Sequence, residues 1–301
     1  MRISDSMIAG TLVAQLGKAS ERLFRLQEQV ASGLAFKTPS QNPAGALRAA
    51  ALRSGVAELS RYRQNCDGAA ARLALTETAL ANIADSLRQA YDAGLAMTPF
   101  EEAGNSALAD QVHQIATTIA NEGNSSSEGR YLFSGHETLT QPVIENPLAI
   151  PPYLYQGDRG DIPFQLGRGI SLVANLDAAE VLNFDGAVAP TRDDTFETLR
   201  QLELALRAGD SDALEGCLTE LDWHLDRAVA LRGQTGARFQ HVELVKGRLE
   251  DGVRTLRTLL SEVQDIDITQ AIIDLRSQEV SYQAAAAAAA ALHRASLLDY
   301  F

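Results

Sequence analysis

Between residues 12 and 30 the large apolar positions fall in alternating steps of four and three. They are Leu12, Leu16, Ala19, Leu23, Leu26 and Val30. That spacing places them on one stripe of a helix, the seam of a two-helix contact. Gly33 ends the pattern, and "FKTPSQNPAG", with Pro39, Asn42, Pro43 and Gly45, reads as a loop by its turn chemistry. A long helix is expected from about Ala44 to Met97, with Leu73, Leu80, Ile83, Leu87, Tyr91 and Leu95 along one side and "TPF" at its end. A shorter helix, about 107–120, follows. "NEGNSSSEGR" then reads as a polar loop.

From Tyr131 to Pro190 the period changes to two. Ile162, Phe164 and Leu166 alternate, as do Ile170, Leu172, Ala174 and Leu176, with "GRG" between the runs. Alternation broken by a short glycine loop predicts a β-hairpin. Helix returns near Thr195, with Asp193 and Asp194 suited to its start and Gly209 to its stop. Asp212 with Glu215 three residues on predicts a second start by a capping box. Leu214, Leu218, Leu221, Leu225 and Ala228 keep the four-three step, which resumes at Leu249, Val253, Leu256, Leu260 and Val263. "QDIDITQ" interrupts it. A last helix carries Ile273 and Val280, seven apart, and then eight consecutive alanines, 284–291. The expected fold is mainly α: a long helical bundle or coiled coil formed by both chain halves, with a small central β domain.

Alanine has the best intrinsic helix propensity, but it buries only about 0.8 kcal/mol of methyl surface per residue, and short isolated helices are marginal in water. What an alanine face offers is close approach, at the short end of the roughly 8–10 Å helix spacing. The tract therefore predicts a helix that orders against neighbours, with the N-terminal seam as its partner. Ala287 is the expected close-packing position. Leu297 and Leu298, in the closing "SLLDYF", are the expected terminal apolar contacts.

Charge sharpens this picture. The net charge is -13, and it is uneven: residues 101–220 carry six basic against twenty acidic side chains, while residues 1–50 carry six against three. An acidic middle argues against nucleic-acid binding there, and near-neutral ends can pack against other chains at little charge cost. No run reaches the ~18 apolar residues of a membrane span, and the N-terminus lacks the pattern of a cleaved secretory signal. No nucleic-acid or membrane partner is expected.

Candidate chemistry is sparse. His113, His136, His224, His241 and His293 show no metal-ligand spacing, although Cys217 stands seven residues before His224. Cys66 and Cys217 are expected to be small buried hydrophobes. Asp265 and Asp267 lack the rest of a calcium loop, so a helix break or cap is favoured. Arg159-Gly160-Asp161 and Asn124-Ser125-Ser126 are short patterns in expected surface turns, and Gly167 and Gly169 make only half of a dinucleotide fingerprint. No nucleophile, base or oxyanion constellation occurs, so no enzyme and no cofactor is expected. An enzyme on a helical scaffold ranks last among the alternatives.

Several stretches do carry a resemblance. "RISDSM…LQEQVASGLAFKTPSQNPAGALRAAALRS" and "RQNCDGAAARLALTETALANIADSLRQA" resemble the N-terminal half of flagellins and their hook-associated relatives. "RGQTGARFQHVE" and "DIDITQAIIDLRSQEVSYQAA…SLLDYF" resemble the C-terminal half. Centrally, "GRYLFSGHETLTQPV", with Tyr131, Phe133 and Gly135, and "YQGDRG", with Tyr155, Gly157 and Asp158, resemble the hook-filament junction family, hook-associated protein 3. The chain departs from the family where a loop that commonly holds two acids has Gln41 and Asn42, and where the alanine run replaces a more varied helix.

The resemblance implies a structural component of the bacterial flagellum that joins the hook-associated junction to the flagellin filament. A minor flagellin is the alternative. Three domains are implied: an axial terminal-helix domain of 1–43 plus 267–301, a helical bundle of 44–130 plus 191–266, and a β-rich outer insert at 131–190. Implied partners are further copies of itself, the first hook-associated protein, flagellin, and an export chaperone at the C-terminal region. Export through the flagellar type III apparatus without a cleaved signal is implied as well. The expected assembly interface is Leu12, Leu16, Leu23, Leu26, Val30, Ile273, Val280, Ala287, Leu297 and Leu298.

Overall fold

The computed structural model describes residues 5–98, 101–146, 150 and 152–298, giving only the backbone for 5–6, 8–9 and 291–298. The chain is mainly α-helical, and it divides into two compact units, Met1–Glu58 with Gly252–Phe301 and Leu59–Asp251. The division falls inside two long helices, α2 (Pro43–Leu95, 53 residues) and α6 (Ser211–Gln264, 54 residues).

In the terminal unit, α1 (Asp5–Ser32) packs along α7 (Ile268–Leu298). Gly33, at φ +73°, stops α1 in the left-handed conformation that glycine adopts without strain. The loop behind it is clamped to the turn between α6 and α7. Leu34 forms an isolated antiparallel bridge with Asp265; Ala35 N donates to Gln264 O at 2.7 Å, and Ile266 N to Gly33 O at 3.0 Å. The side chain of Gln264 is buried and accepts from Arg53 on α2, while Gln29 on α1 donates to Ala35 O at 2.7 Å. Asp267 Oδ1 caps α7, accepting from Thr269 N at 2.9 Å and Gln270 N at 3.2 Å. The expected break at "QDIDITQ" is thus a capped turn, with Asp265 and Asp267 between helices rather than within one. The departures at Gln41 and Asn42 keep an acceptor role: Gln41 Oε1 takes Lys37 N at 2.7 Å, and Asn42 Oδ1 takes Gly45 N at 2.9 Å at the start of α2.

In the central unit, α3 (Glu102–Gly123) packs on α5 (Thr195–Ala208). The main core joins Leu80, Ile83 and Leu87 of α2, Ile119 of α3, Leu199, Leu202 and Leu206 of α5, and Leu221 and Leu231 of α6. Phe133, Phe184 and Phe196 extend it into the β region. α3 is longer at both ends than its apolar pattern shows, because Glu102–Ser106 and Asn121–Gly123 are polar turns added to a helix its core face already holds. Asp194 and Gly209 bound α5 as expected: Asp194 Oδ1 accepts Glu197 N at 2.7 Å, and Gly209 sits at φ +64°. The cap of α6 is Asp210 and not Asp212, since Asp210 Oδ1 accepts Asp212 N at 3.0 Å and Ala213 N at 3.1 Å.

Three two-stranded antiparallel sheets are described: β1 (Ser126–Ser127) with β2 (Arg130–Tyr131), β3 (Val143–Glu145) with β4 (Tyr153–Tyr155), and β5 (Pro163–Gly167) with β6 (Ile170–Val173). The last is the hairpin expected from alternation. It lies on a second core of Cys66, Ala69 and Leu73 on α2 with Val242 and Val245 on α6. The β1–β2 hairpin lies where a plain polar loop was expected. Its turn places Glu128 and Gly129 at φ +52° and +75°, a hairpin conformation, and strands of two residues leave no alternation to read. A short helix, α4 (Ala178–Leu182), capped by Asp177, interrupts the β region.

Candidate functional site: paired terminal helices and an interlocked insert

Every expected seam residue of α1, namely Leu12, Leu16, Ala19, Leu23, Leu26 and Val30, is half-buried. Met7, Val13 and Phe24 on the same helix are exposed, Phe24 by 68%. α7 shows the matching pattern. Ala271 is buried, and Leu275, Gln278, Tyr282, Ala285 and Ala289 are half-buried. These positions also step by four and three, so α7 carries a seam of its own. Ile273, Val280 and Ala287 fall on the other side of α7 and are exposed, Val280 by 66%, together with Ile268 and Ile272. Leu297 and Leu298 lie in the stretch where only the backbone is described.

The two helices run antiparallel, because the end of α1 and the start of α7 meet at the clamp of residues 33–35 with 264–266. Stepping both seams away from that anchor aligns Val30 with Ala271, Leu26 with Leu275, Leu23 with Gln278, Ala19 with Tyr282, Leu16 with Ala285 and Leu12 with Ala289. One hydrogen bond agrees with this alignment: Gln278 Nε2 donates to Ala19 O at 3.3 Å, and a helical carbonyl points one turn onward, toward Leu23. Two of the eight alanines therefore face leucines. Ala286 is half-buried beside them, and Ala284, Ala287, Ala288 and Ala290 are exposed on an outer face with no ionised side chain between Val280 and Ala290.

In the central unit, the residues singled out from the insert converge on one another. Asp158 Oδ1 accepts the backbone N–H of His136 at 2.5 Å and of Glu137 at 3.3 Å, and Asp158 N donates to Ser134 O at 3.1 Å. Tyr155 donates its hydroxyl proton to Asp158 O at 2.6 Å, with Phe133 O at 3.3 Å. Partial desolvation works against the Asp158 charge, but the amides of His136, Glu137 and Gly160 outweigh it and hold the carboxyl below its ordinary range. Burial raises the Tyr155 phenol well above its ordinary range, so it remains a donor. Gly135 sits at φ +68°, and a Cβ there would lie 2.1 Å from Asp158 Oδ1. A Cβ at Gly157 would lie 2.4 Å from the Tyr155 hydroxyl oxygen. Phe133 is fully buried; Tyr131 is half-buried in β2. The two quoted segments thus form a single interlock. Asn124, the first residue of the Asn-Ser-Ser pattern, is committed to the backbone of Val143, donating at 2.8 Å and accepting at 2.9 Å.

His224 lies deep in this unit, 2% exposed. Its Nδ1 is 3.2 Å from Thr195 Oγ1 and its Nε2 is 3.4 Å from Thr198 Oγ1. Both hydroxyls donate elsewhere, to Leu182 O at 3.1 Å and Asp194 O at 2.9 Å. Burial pushes His224 down to about 4, against a hydrogen bond to the Asp193 backbone that favours the proton, and the nearby Arg192 charge lowers it further. Burial likewise pushes Asp194 up to about 6, outweighing the amides of Glu197 and Phe196 that favour its charge. Cys66 and Cys217 are free and buried, and burial raises both thiols. Among the described residues no group of three or more His, Cys, Asp or Glu is placed to hold a metal ion, and no helix is long and apolar enough to cross a membrane.

Paired terminal helices that leave apolar side chains exposed, a helical unit and a small β insert are an arrangement similar to that of a class of flagellar structural proteins. The bacterial flagellin N-terminal helical region matches residues 3–138. Within that class, the chain is similar over its length to flagellar hook-associated protein 3 of Salmonella typhimurium, 21% identical and covering 94% of each chain. The resemblance read from the residues is borne out. Among solved structures, Bacillus cereus FlgL is 23% identical, with a TM-score of 0.59, over 70% of this chain and 99% of that one. Flagellar hook-associated protein 3 of Legionella pneumophila is 14% identical, with a TM-score of 0.61, over 70% and 98%. At those identities the structures speak for the fold alone.

Proposed function

We propose that the protein is a structural component of the bacterial flagellum that joins the hook-associated junction to the flagellin filament. The observation that carries this reading is the full-length similarity to hook-associated protein 3, which covers 94% of both chains and so includes the insert as well as the helical ends. The chemistry of the chain agrees. It has an interlocked insert, and His224 is packed away from solvent. The protein works by being assembled, without catalysis.

In this reading, residues 1–43 with 267–301 form the axial layer, 44–130 with 191–266 the surrounding bundle, and 131–190 the outward insert. Leu12, Leu16, Leu23, Leu26 and Val30 hold α1 to α7. Ile273, Val280 and Ala287 face neighbouring subunits. The partners are further copies of the chain, the first hook-associated protein, flagellin, and an export chaperone at the C-terminal region, with export by the flagellar type III route. Ordering of the terminal helices is completed on assembly, since their outer apolar faces have no cover in the single chain.

The test is copy number in sheared flagella still carrying hooks, by quantitative mass spectrometry against hook protein and flagellin. A few copies per flagellum, tracking hook number, is the expected result. Copies that scale with filament length would make the protein a minor flagellin. Absence from the particles would overturn both.

A further inference from the structure

The segment that leads from α4 to α5 is tied down at two places. The first is Asn183, buried and at φ +55°, followed by Asp185 at φ +52° and Gly186 at φ +65°. The Asn183 side chain staples the segment to its own start. Its Oδ1 accepts Val188 N and Ala189 N at 3.0 Å each, and its Nδ2 lies 3.3 Å from the carbonyl oxygens of Ala189, Arg192 and Asp193. The second place is α6. Arg192 pairs with Glu220 at 2.9 Å and lies over the Trp223 ring, 5.2 Å from its centre. The Trp223 and His224 rings meet edge to face, 5.0 Å apart, and His224 is hydrogen-bonded to the Asp193 backbone. The segment thus brings a permanent positive charge near a buried imidazole to which it is itself bonded.

We infer that residues 185–193 form a strap that a proton on His224 opens. The neutral ring has one proton to donate, and the Asp193 carbonyl takes it. Thr195 and Thr198 give their own protons to Leu182 O and Asp194 O, so they offer the ring only lone pairs. A second ring proton would find an acceptor there, but its charge would sit out of water and near Arg192. Burial is the larger penalty, and the Arg192 charge adds to it. The acids that could offset the charge are engaged: Glu220 with Arg192, Glu197 with Arg200 at 2.6 Å, and Asp193 with Gln201 at 2.8 Å. Arg227 on α6 is paired with Glu180 at 2.8 Å. Asp194 caps α5 and responds to acid in the opposite sense, taking a proton in the folded chain at about 6. The strap is the part that yields. None of residues 185–193 is buried, whereas α5 and α6 are anchored by the fully buried Leu199, Leu202 and Leu221. Lifting the strap lets water reach the ring and removes Arg192 without breaking that core. The inference concerns the free chain and stands apart from the junction reading.

The experiment is hydrogen exchange by mass spectrometry on the full-length protein and on His224→Gln, at pH 6.5 and pH 4.5. Glutamine keeps an amide donor for Asp193 O and does not titrate. Comparing the two proteins at one pH cancels both the intrinsic pH dependence of exchange and the contribution of Asp194. An imidazole that takes its proton at 6.5 with the strap open and at about 4 with it closed favours the open form roughly fortyfold more at pH 4.5 than at pH 6.5. The native-to-variant rate ratio for peptides within 185–193 is therefore expected to rise at least about tenfold on acidification, while the ratio for 199–206 in α5 holds. Should His224→Gln fail to fold, the native protein decides alone. Its protection at 185–193, taken against the same peptides unstructured, is then expected to fall between the two pH values while that at 199–206 stays. A strap ratio, or strap protection, that does not change with pH would overturn the inference. So would an equal change at 199–206, because acid would then loosen the whole unit rather than the strap.

Discussion

Replacing His224 by Gln gives the most demanding test of the central unit. The imidazole lies between two hydroxyls whose protons are already given to Leu182 O and Asp194 O. Hydrogen bonding alone would favour an imidazolium, which could donate to both. Burial opposes the charge and wins, taking the group from its ordinary 6.5 to about 4. In the window from 6.5 down to about 4 the unfolded chain therefore binds a proton that the folded chain refuses. Stability is undiminished above 6.5 and falls as the pH drops through the window, by on the order of 3 kcal/mol. Asp194 does the opposite. Its folded value is raised from 3.8 to about 6, so the folded chain holds a proton that the unfolded chain has lost. Stability from this group is undiminished below 3.8 and falls as the pH rises to about 6, by a similar amount. The two contributions nearly cancel between pH 4 and 6. Urea unfolding at pH 4, 5, 6 and 7, followed by the fluorescence of Trp223, the chain's single tryptophan, reads the difference directly. Relative to the native protein, His224→Gln should gain on the order of 3 kcal/mol between pH 7 and pH 4. Asp194→Asn should lose a comparable amount over the same interval. A wild-type-minus-variant difference for His224→Gln that does not change with pH would refute the reasoning, since the buried imidazole would then titrate as it does in the unfolded chain.

Ala285→Phe and Ala287→Phe should separate the two faces of α7. Ala285 faces the α1 seam, so Phe there should overpack it and lower the thermal midpoint of the free chain, by about 1–3 kcal/mol of stability. Ala287 is exposed, so Phe there should leave the midpoint within experimental error while impairing filament attachment and motility. Gly135→Ala should break the insert's interlock, since a Cβ meets Asp158 at φ +68°; a loss of more than about 3 kcal/mol in urea unfolding is expected. Gln264→Ala should cost about 0.5–1.5 kcal/mol by removing the acceptor of Arg53, and faster hydrogen exchange at Ala35 and Ile266 would show the clamp loosening.

The seam of α1 was legible because leucine announces itself at four-three spacing. The seam of α7 has the same spacing, but its members are Ala271, Leu275, Gln278, Tyr282, Ala285 and Ala289, and only one is a large aliphatic. Ile273 and Val280 stand out in the sequence because they are large and seven apart. In the single chain they face outward, where a hydrophobic residue has no cover of its own. Apolar periodicity reports which face is hydrophobic, not which neighbour covers it. Asp194 and Gly209 were legible because a cap and a stop need particular backbone chemistry at one position. Asp210 was missed because Asp212 with Glu215 offered the same pattern two residues later, and only the donated amides decide between them. The interlock of Gly135, Tyr155, Gly157 and Asp158 entered through resemblance alone, since the contacts that make it span about twenty residues of chain and follow no period.

The alanine helix has a physical account in these terms. A helix with large side chains on both faces would fit one neighbour well and hold others apart. Here the far half of α7 gives a leucine seam the small surface it needs on one side and presents methyl groups on the other, where another helix can approach closely. Such a surface carries little energy in a single chain and no information about register. The energy must come from many copies packed together, and the register from the clamp of residues 33–35 with 264–266, which fixes where α7 begins along α1. Contact and specification are thus divided between the tract and the clamp, which is why a run of eight alanines need not leave the position of the helix undetermined.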